Sequence, residues 1–198
     1  MMKSSLSRTH TITYTAIMIA LAVSLRLMKH MLFGNLQFIN FPAIFTIAGG
    51  ILFGPVMGVT VGVTSYLLSD IIIGIPGPWT VVNALLMGAF GGASGLIWKK
   101  VDGNFSKITM GIVVYLMVFA FDILSSGILN MVIGFPPVVA FIWGALGLFL
   151  PVPISGGFMF GIGPITEATT TIVVVTIVAV LLRSKIVRRQ YQDSPPVG

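Results

Sequence analysis

Apolar runs broken by short polar or glycine–proline stretches fill nearly the whole chain. The pattern predicts six helices, over about 11–32, 43–54, 56–74, 78–98, 108–133 and 161–184. The second is short and ends at Gly54-Pro55, where proline removes a backbone donor. "GNLQFINFP" (34–42) reads as a polar-flecked loop, "GIPGP" (74–78) as a tight turn with Pro78 opening the next helix, and "KKVDGNFSK" (99–107) as a solvated loop. A helix needs roughly 20 apolar residues to cross a hydrocarbon core of ~30 Å. Long continuous runs of this kind predict an all-α integral membrane protein, a single six-helix membrane domain over 1–198; a barrel would show shorter alternating segments.

"FPPVVAFIWGALGLFLPVP" (135–153) departs from the pattern. As a helix its apolar run between prolines covers only about 20 Å. If it crossed, the basic tail would lie opposite the 99–107 loop, against the positive-inside rule. A re-entrant or interfacial element, a lid for example, is therefore expected there. Six crossings put both termini in the cytoplasm. Lys3, Arg8, Lys99, Lys100, Lys107, Arg183, Lys185, Arg188 and Arg189 then lie inside, nine of the eleven cations. Arg26 and Lys29 are left over.

Composition agrees with the pattern: of 198 residues 56% are hydrophobic and 8% charged, at a mean hydropathy of +1.05. The net charge of +6 reports topology and contact with lipid headgroups, with no nucleic-acid partner implied. The absence of cysteine excludes disulfide and thiolate chemistry. The first apolar run lacks a small-residue cleavage site and reads as a retained helix. No phosphate-binding Gly-rich loop ends in Lys-Ser/Thr, and His10 and His30 are the only histidines. Neither a metal set nor a nucleophile–base set can be assembled, so no enzyme and no cofactor is expected.

Counting ~1.5 Å per helical residue from the expected helix starts places Arg26, Asp70 and Asp122 about 21–22 Å up. The same count puts Asn83 and Glu167 about 8–9 Å below the outer surface. Five helices thus bring polar groups to one layer, the outer third of the bilayer. Ionised groups there normally face a cavity or a partner. One reading is a substrate pocket open to the outside, with Arg26, Lys29, Asn40, Asp70, Trp79, Asn83, Asp122, Asn130 and Glu167 as candidate contacts. The other is that Arg26 and Lys29 snorkel to headgroups while the carboxylates pair with them. Phe33, Phe38, Phe41, Trp79 and Trp143 at this level suit either a stacking wall or an interface belt.

"AIMIALAVS" (16–24) sets Ala16, Ala20 and Ser24 on one face of the first helix, opposite Lys29. Such a smooth face permits close helix contact, within the protein or with another one. The glycines at 50, 54, 58 and 62 read as internal packing around the Gly-Pro break.

Ala16-Ile17-Met18-Ile19-Ala20 matches an Ala-x-x-x-Ala motif, and "FPAIFTIAGGILFGPVMGVTVGVTSYLLSD" (41–70) carries Phe-Gly-Pro, spaced glycines and a closing Asp. Together they resemble the S component, the substrate-binding membrane subunit of energy-coupling factor (ECF) transporters. The resemblance implies a six-helix subunit of an ABC importer in a prokaryotic plasma membrane, binding a vitamin or related micronutrient near the outer face. It also implies docking, by the Ala16/Ala20/Ser24 face, on a transmembrane coupling subunit that carries two ATPases. No motif selects among riboflavin, folate, cobalamin or queuosine-type ligands, and the Arg26/Lys29 pair points to an anionic group on the substrate. A stand-alone secondary transporter would be expected to show internal repeats, which are not evident. A structural membrane subunit would use the polar layer for packing alone.

Overall fold

A computed structural model of the chain describes residues 8–34, 36–74, 76–100, 106–149 and 163–183. These form seven helices: α1 (Arg8–Phe33), α2 (Phe41–Phe53), α3 (Pro55–Ile73), α4 (Pro78–Lys100), α5 (Lys107–Val132), α6 (Pro137–Phe149) and α7 (Gly163–Arg183). The described residues contain no strand. α1, α3, α4, α5 and α7 are long and apolar enough to cross a membrane, while α2 and α6 are shorter apolar helices. The expected all-helical class and its breaks are present. The count differs because 135–153 holds a helix of its own, α6, whose 13 residues span about 20 Å. The basic segment after Arg183, residues 101–105, and residues 150–162 lie outside the described residues.

Local chemistry sets the boundaries. α2 begins two residues earlier than expected because Asn40 caps it, its Oδ1 accepting from the Ala43 amide at 3.1 Å. Gly54 joins α2 to α3 at φ +100°, a conformation glycine adopts without strain, and Pro55 opens α3. Gly74 ends α3 in the left-handed region, its amide donating to the Asp70 and Ile71 carbonyls. Ser106 caps α5 through the Thr109 amide.

α2 is buried from Pro42 to Leu52 and lies between α1, α3, α4 and α7. The packing of α2, α3 and α4 is backbone on backbone. A Cβ added at Gly58 would fall 2.2 Å from the Gly91 carbonyl oxygen, and one at Gly91 would fall 2.3 Å from the Gly58 oxygen. Gly50 meets Gly91 and the Ser94 hydroxyl, Gly95 meets Pro55, and Gly62 meets Met87 in the same way. Small residues let apolar helices gain dispersion contact where no hydrophobic force draws them together. The glycine ladder is internal, as expected, and its facing half lies in "GAFGG" of α4.

α6 runs back along the C-terminal half of α5. Asn130 Nδ2 donates to the Ala140 carbonyl at 3.1 Å, Phe141 and Gly144 lie against Gly127, and Phe149 reaches Phe119. α7 begins where α6 ends, with Gly163 against Leu148, and continues along the N-terminal half of α5, where Thr171 and Val175 face Gly111. α6 and α7 therefore follow one another down the same flank of α5.

The glycine contacts generate a test. Gly91→Ala forces α3 and α4 apart and should cost about 1–3 kcal/mol or more. Gly111→Ala, whose Cβ finds its nearest neighbours only at 4.0 Å, should leave stability unchanged. Thermal melting of the two purified variants in detergent makes the comparison.

Candidate functional site

One face of α3 presents Tyr66, Ser69 and Asp70, spaced to lie together on a helix. Arg26 of α1 meets all three. Its Nη2 lies 2.6 Å from Asp70 Oδ1, its Nη1 donates to Ser69 Oγ, and its guanidinium carbon sits 4.6 Å from the Tyr66 ring centroid. Asp70 is 1% exposed and takes a second donor, the Thr80 hydroxyl of α4, at 2.6 Å. The Tyr66 hydroxyl donates to Asn40 Oδ1 at 3.4 Å, and the Asn40 amide donates to Thr170 Oγ1 of α7 at 2.9 Å. A continuous polar chain thus runs through α7, the start of α2, α3, α1 and α4.

Residues 36–40 lie over this chain and are tied down along their length. Lys29 Nζ donates to Gln37 Oε1. The Thr166 hydroxyl donates to the Gln37 carbonyl and the Thr169 hydroxyl to the Phe38 carbonyl, both at 2.6 Å. Arg26, Lys29, Gln37 and Asn40 enclose a cavity of about 10 Å³. That is room for about one water, far below the ~300–1,000 Å³ of small-molecule pockets.

The other candidates fall into separate groups. Asn83 accepts from Ser125, joining α4 to α5 beside the Phe90–Phe121 ring contact. Asp122 and Glu167 are buried and interact electrostatically across α5 and α7, and Tyr115 faces Glu167. Glu167 follows Thr166, whose hydroxyl donates to the Gln37 carbonyl, and so sits near residues 36–40 on the α5 side of α7. Asn130 ties α5 to α6. Trp79 is partly exposed and lays its indole against Gly77. The structure therefore brings Arg26, Asp70 and Asn40 into one network, sets Lys29 beside it, and places Asn83, Asp122 and Glu167 toward α5.

Both intramembrane cations are engaged by protein groups, so the Arg26/Lys29 pair gives no direct support for an anionic substrate. Sequence reasoning missed Tyr66, Ser69, Thr80, Gln37 and the α7 threonines. The helical spacing of 66, 69 and 70, and the run "TEATTT" (166–171), were the available signals. Ala16, Ala20 and Ser24 are all exposed, alongside Ile17 and Leu21. Nothing within the described fold covers this smooth face.

The family model of the ECF-type riboflavin transporter S component matches residues 6–188. The chain belongs to this family, as the alanine motif and the 41–70 stretch suggested. No curated protein and no solved structure matches the chain. S components are substrate-binding subunits of vitamin transporters, not enzymes, and they associate with other membrane ECF components. The chain is accordingly a multi-pass membrane protein of a vitamin importer.

The ion pair carries a prediction. Arg26→Ala strands a buried carboxylate and should destabilise the ligand-free protein by about 3–5 kcal/mol. Replacing Arg26 and Asp70 together with apolar residues should restore most of the loss. Wild-type melting of Arg26→Ala would instead mark a snorkelling side chain.

Proposed function

We propose that this chain binds riboflavin with high affinity near the outer face of a prokaryotic plasma membrane and hands it to a coupling subunit driven by two ABC ATPases. The family match over residues 6–188 carries this reading. The structure supports it with polar side chains from several helices gathered beneath residues 36–40. A vitamin needs far more than 10 Å³, so its entry displaces those residues from Lys29, Thr166 and Thr169. Arg26, Lys29, Asn40, Asp70, Trp79, Asn83, Asp122, Asn130 and Glu167 stay the proposed substrate contacts. Arg26, Asp70, Asn40 and Asn130 also hold the fold. Purified protein should carry a flavin detectable by mass spectrometry, or bind added riboflavin with quenching of its fluorescence. A different co-purified vitamin would replace riboflavin in this proposal, and a ligand-free protein that binds no vitamin would point to a structural subunit.

The exposed stripe Ala16, Ala20 and Ser24 is the proposed docking face for the coupling subunit. Replacing Ala16 and Ala20 by Trp adds bulk where helices must approach closely. Riboflavin binding by the purified variant should persist while assembly with the coupling subunit, read by co-purification, is lost. Lost binding with intact assembly reverses the assignment.

Six crossings, with α2 as a short one and α6 not crossing, place both termini in the cytoplasm. Nine of eleven cations then lie inside. The cysteine-free chain suits direct mapping. A single cysteine at Pro76 should react with an impermeant thiol reagent in intact cells, and one at Asn104 or Val197 should not.

A further inference from the structure

A groove between α5 and α7 takes no part in the polar network around Arg26. It measures about 330 Å³ and is left open because Gly111 on α5 and Ala168 on α7 project almost no side chain. Ile112, Leu116 and Ile172 form its walls, and all three are exposed. Both helices are long and apolar enough to cross a membrane, so an open cleft between them faces acyl chains.

One polar group interrupts the apolar lining. Thr171 lines the groove and is 8% exposed, and its hydroxyl has no partner among the described residues. A helical threonine can turn its hydroxyl back onto the carbonyl one turn earlier. Thr169 does so on Ile165, and Thr176 on Ile172. Thr171 does not. A hydroxyl left unpaired away from water costs free energy that a group arriving from outside recovers. At one end of the groove stands a cation. Lys107 is the first residue of α5, is exposed, and lies one turn before Gly111 on the same face. Thr171 faces Gly111, so Lys107 is about 6 Å nearer the membrane surface than the level of Thr171. A lysine there extends its ammonium among the headgroups.

Cation, free hydroxyl and apolar trough thus follow one another inward from the surface. Phosphate, ester carbonyl and acyl chain follow one another in the same order in a phospholipid. An apolar helix would cover the walls but leave Thr171 unpaired, because the carbonyls of a helix are already bonded. We infer that the groove binds one anionic phospholipid. Its acyl chain lies along Gly111 and Ala168, an ester carbonyl accepts from Thr171, and its phosphate meets Lys107. A zwitterionic headgroup sets its own cation against the phosphate, so Lys107 favours a lipid with net negative charge. In the topology proposed above, this lipid belongs to the cytoplasmic leaflet.

The test uses the full-length purified protein, delipidated in mild detergent. It is titrated with dioleoylphosphatidylglycerol or dioleoylphosphatidylcholine, and bound lipid is counted by native mass spectrometry. The wild type should hold one phosphatidylglycerol more tightly than phosphatidylcholine. Lys107→Gln should weaken phosphatidylglycerol about fivefold and remove the preference. Lys99→Gln, on the last turn of α4 at the same end of the bundle, should change neither lipid. Thr171→Val should weaken both. Gly111→Phe fills the groove and should abolish the bound lipid, and Ala168→Leu repeats this from the opposite wall if the phenylalanine variant fails to fold. Equal affinity of the wild type for the two lipids overturns the inference, as does unchanged binding in a folded groove-filling variant. An equal loss in Lys99→Gln and Lys107→Gln marks diffuse attraction to a basic surface and also overturns it. A dimer without bound lipid assigns the groove to a second copy instead. Riboflavin binding should be unchanged in Lys107→Gln and Gly111→Phe, so the vitamin reading and this one stand or fall separately.

Discussion

The pairing of Arg26 with Asp70 is the contact on which the packing of α1, α3 and α4 around it depends. Inside a membrane neither charge is tolerable alone, and each constrains the other strictly. Asp70 is held by Thr80 and Arg26 by Ser69 and the face of Tyr66. The pair therefore joins α1, α3 and α4 at one point. Tyr66 extends the connection to Asn40, and Asn40 to Thr170 on α7. The same asparagine caps α2. A defect at the ion pair would spread along these bonds to the segment lying over them.

The glycine ladder gives that point something rigid to stand on. Where the Gly58 and Gly91 backbones touch, α3 and α4 cannot slide or rotate without collision. α2 sits in the angle between them, buried except at its ends. The fork that receives Arg26 is thus borne by helices with almost no freedom relative to each other. α5 joins this slab through side chains instead, through Phe121 against Tyr66 and Phe90 and through Ser125 on Asn83. Side-chain contacts yield more readily than backbone contacts, so the α4–α5 side is the softer wall of the site.

Much of this was legible in the sequence, and the misses have identifiable causes. Apolar runs and Gly-Pro breaks located the long helices to within a few residues, because the bilayer leaves no other way to satisfy the backbone. The candidate polar residues were visible as charges and amides within apolar runs, and the structure gathers three of them, Arg26, Asp70 and Asn40, into one network. That α7 starts against Leu148 of α6 was not legible, because no periodicity marks which neighbour a helix end meets. Arg26 was visible as a charge, but its binding by Asp70 and Ser69 depends on how α1 rotates against α3. The threonines that hold residues 36–40 look like ordinary helix residues until that segment is brought across them.

α1 reconciles two demands that would conflict on most helices. Toward the protein it carries Arg26 and Lys29, whose bonds to α3 and to Gln37 fix its C-terminal end. Away from it stand Ala16, Ala20 and Ser24, exposed and nearly flat. A helix anchored only by apolar packing could rotate until such a stripe was buried against its neighbours, because small residues favour close approach wherever it is available. The ion pair forbids that rotation: turning the stripe inward would withdraw Arg26 from Asp70. The charges deep in α1 therefore do more than contact other polar groups. They hold the smooth face outward, where the proposed coupling subunit can reach it.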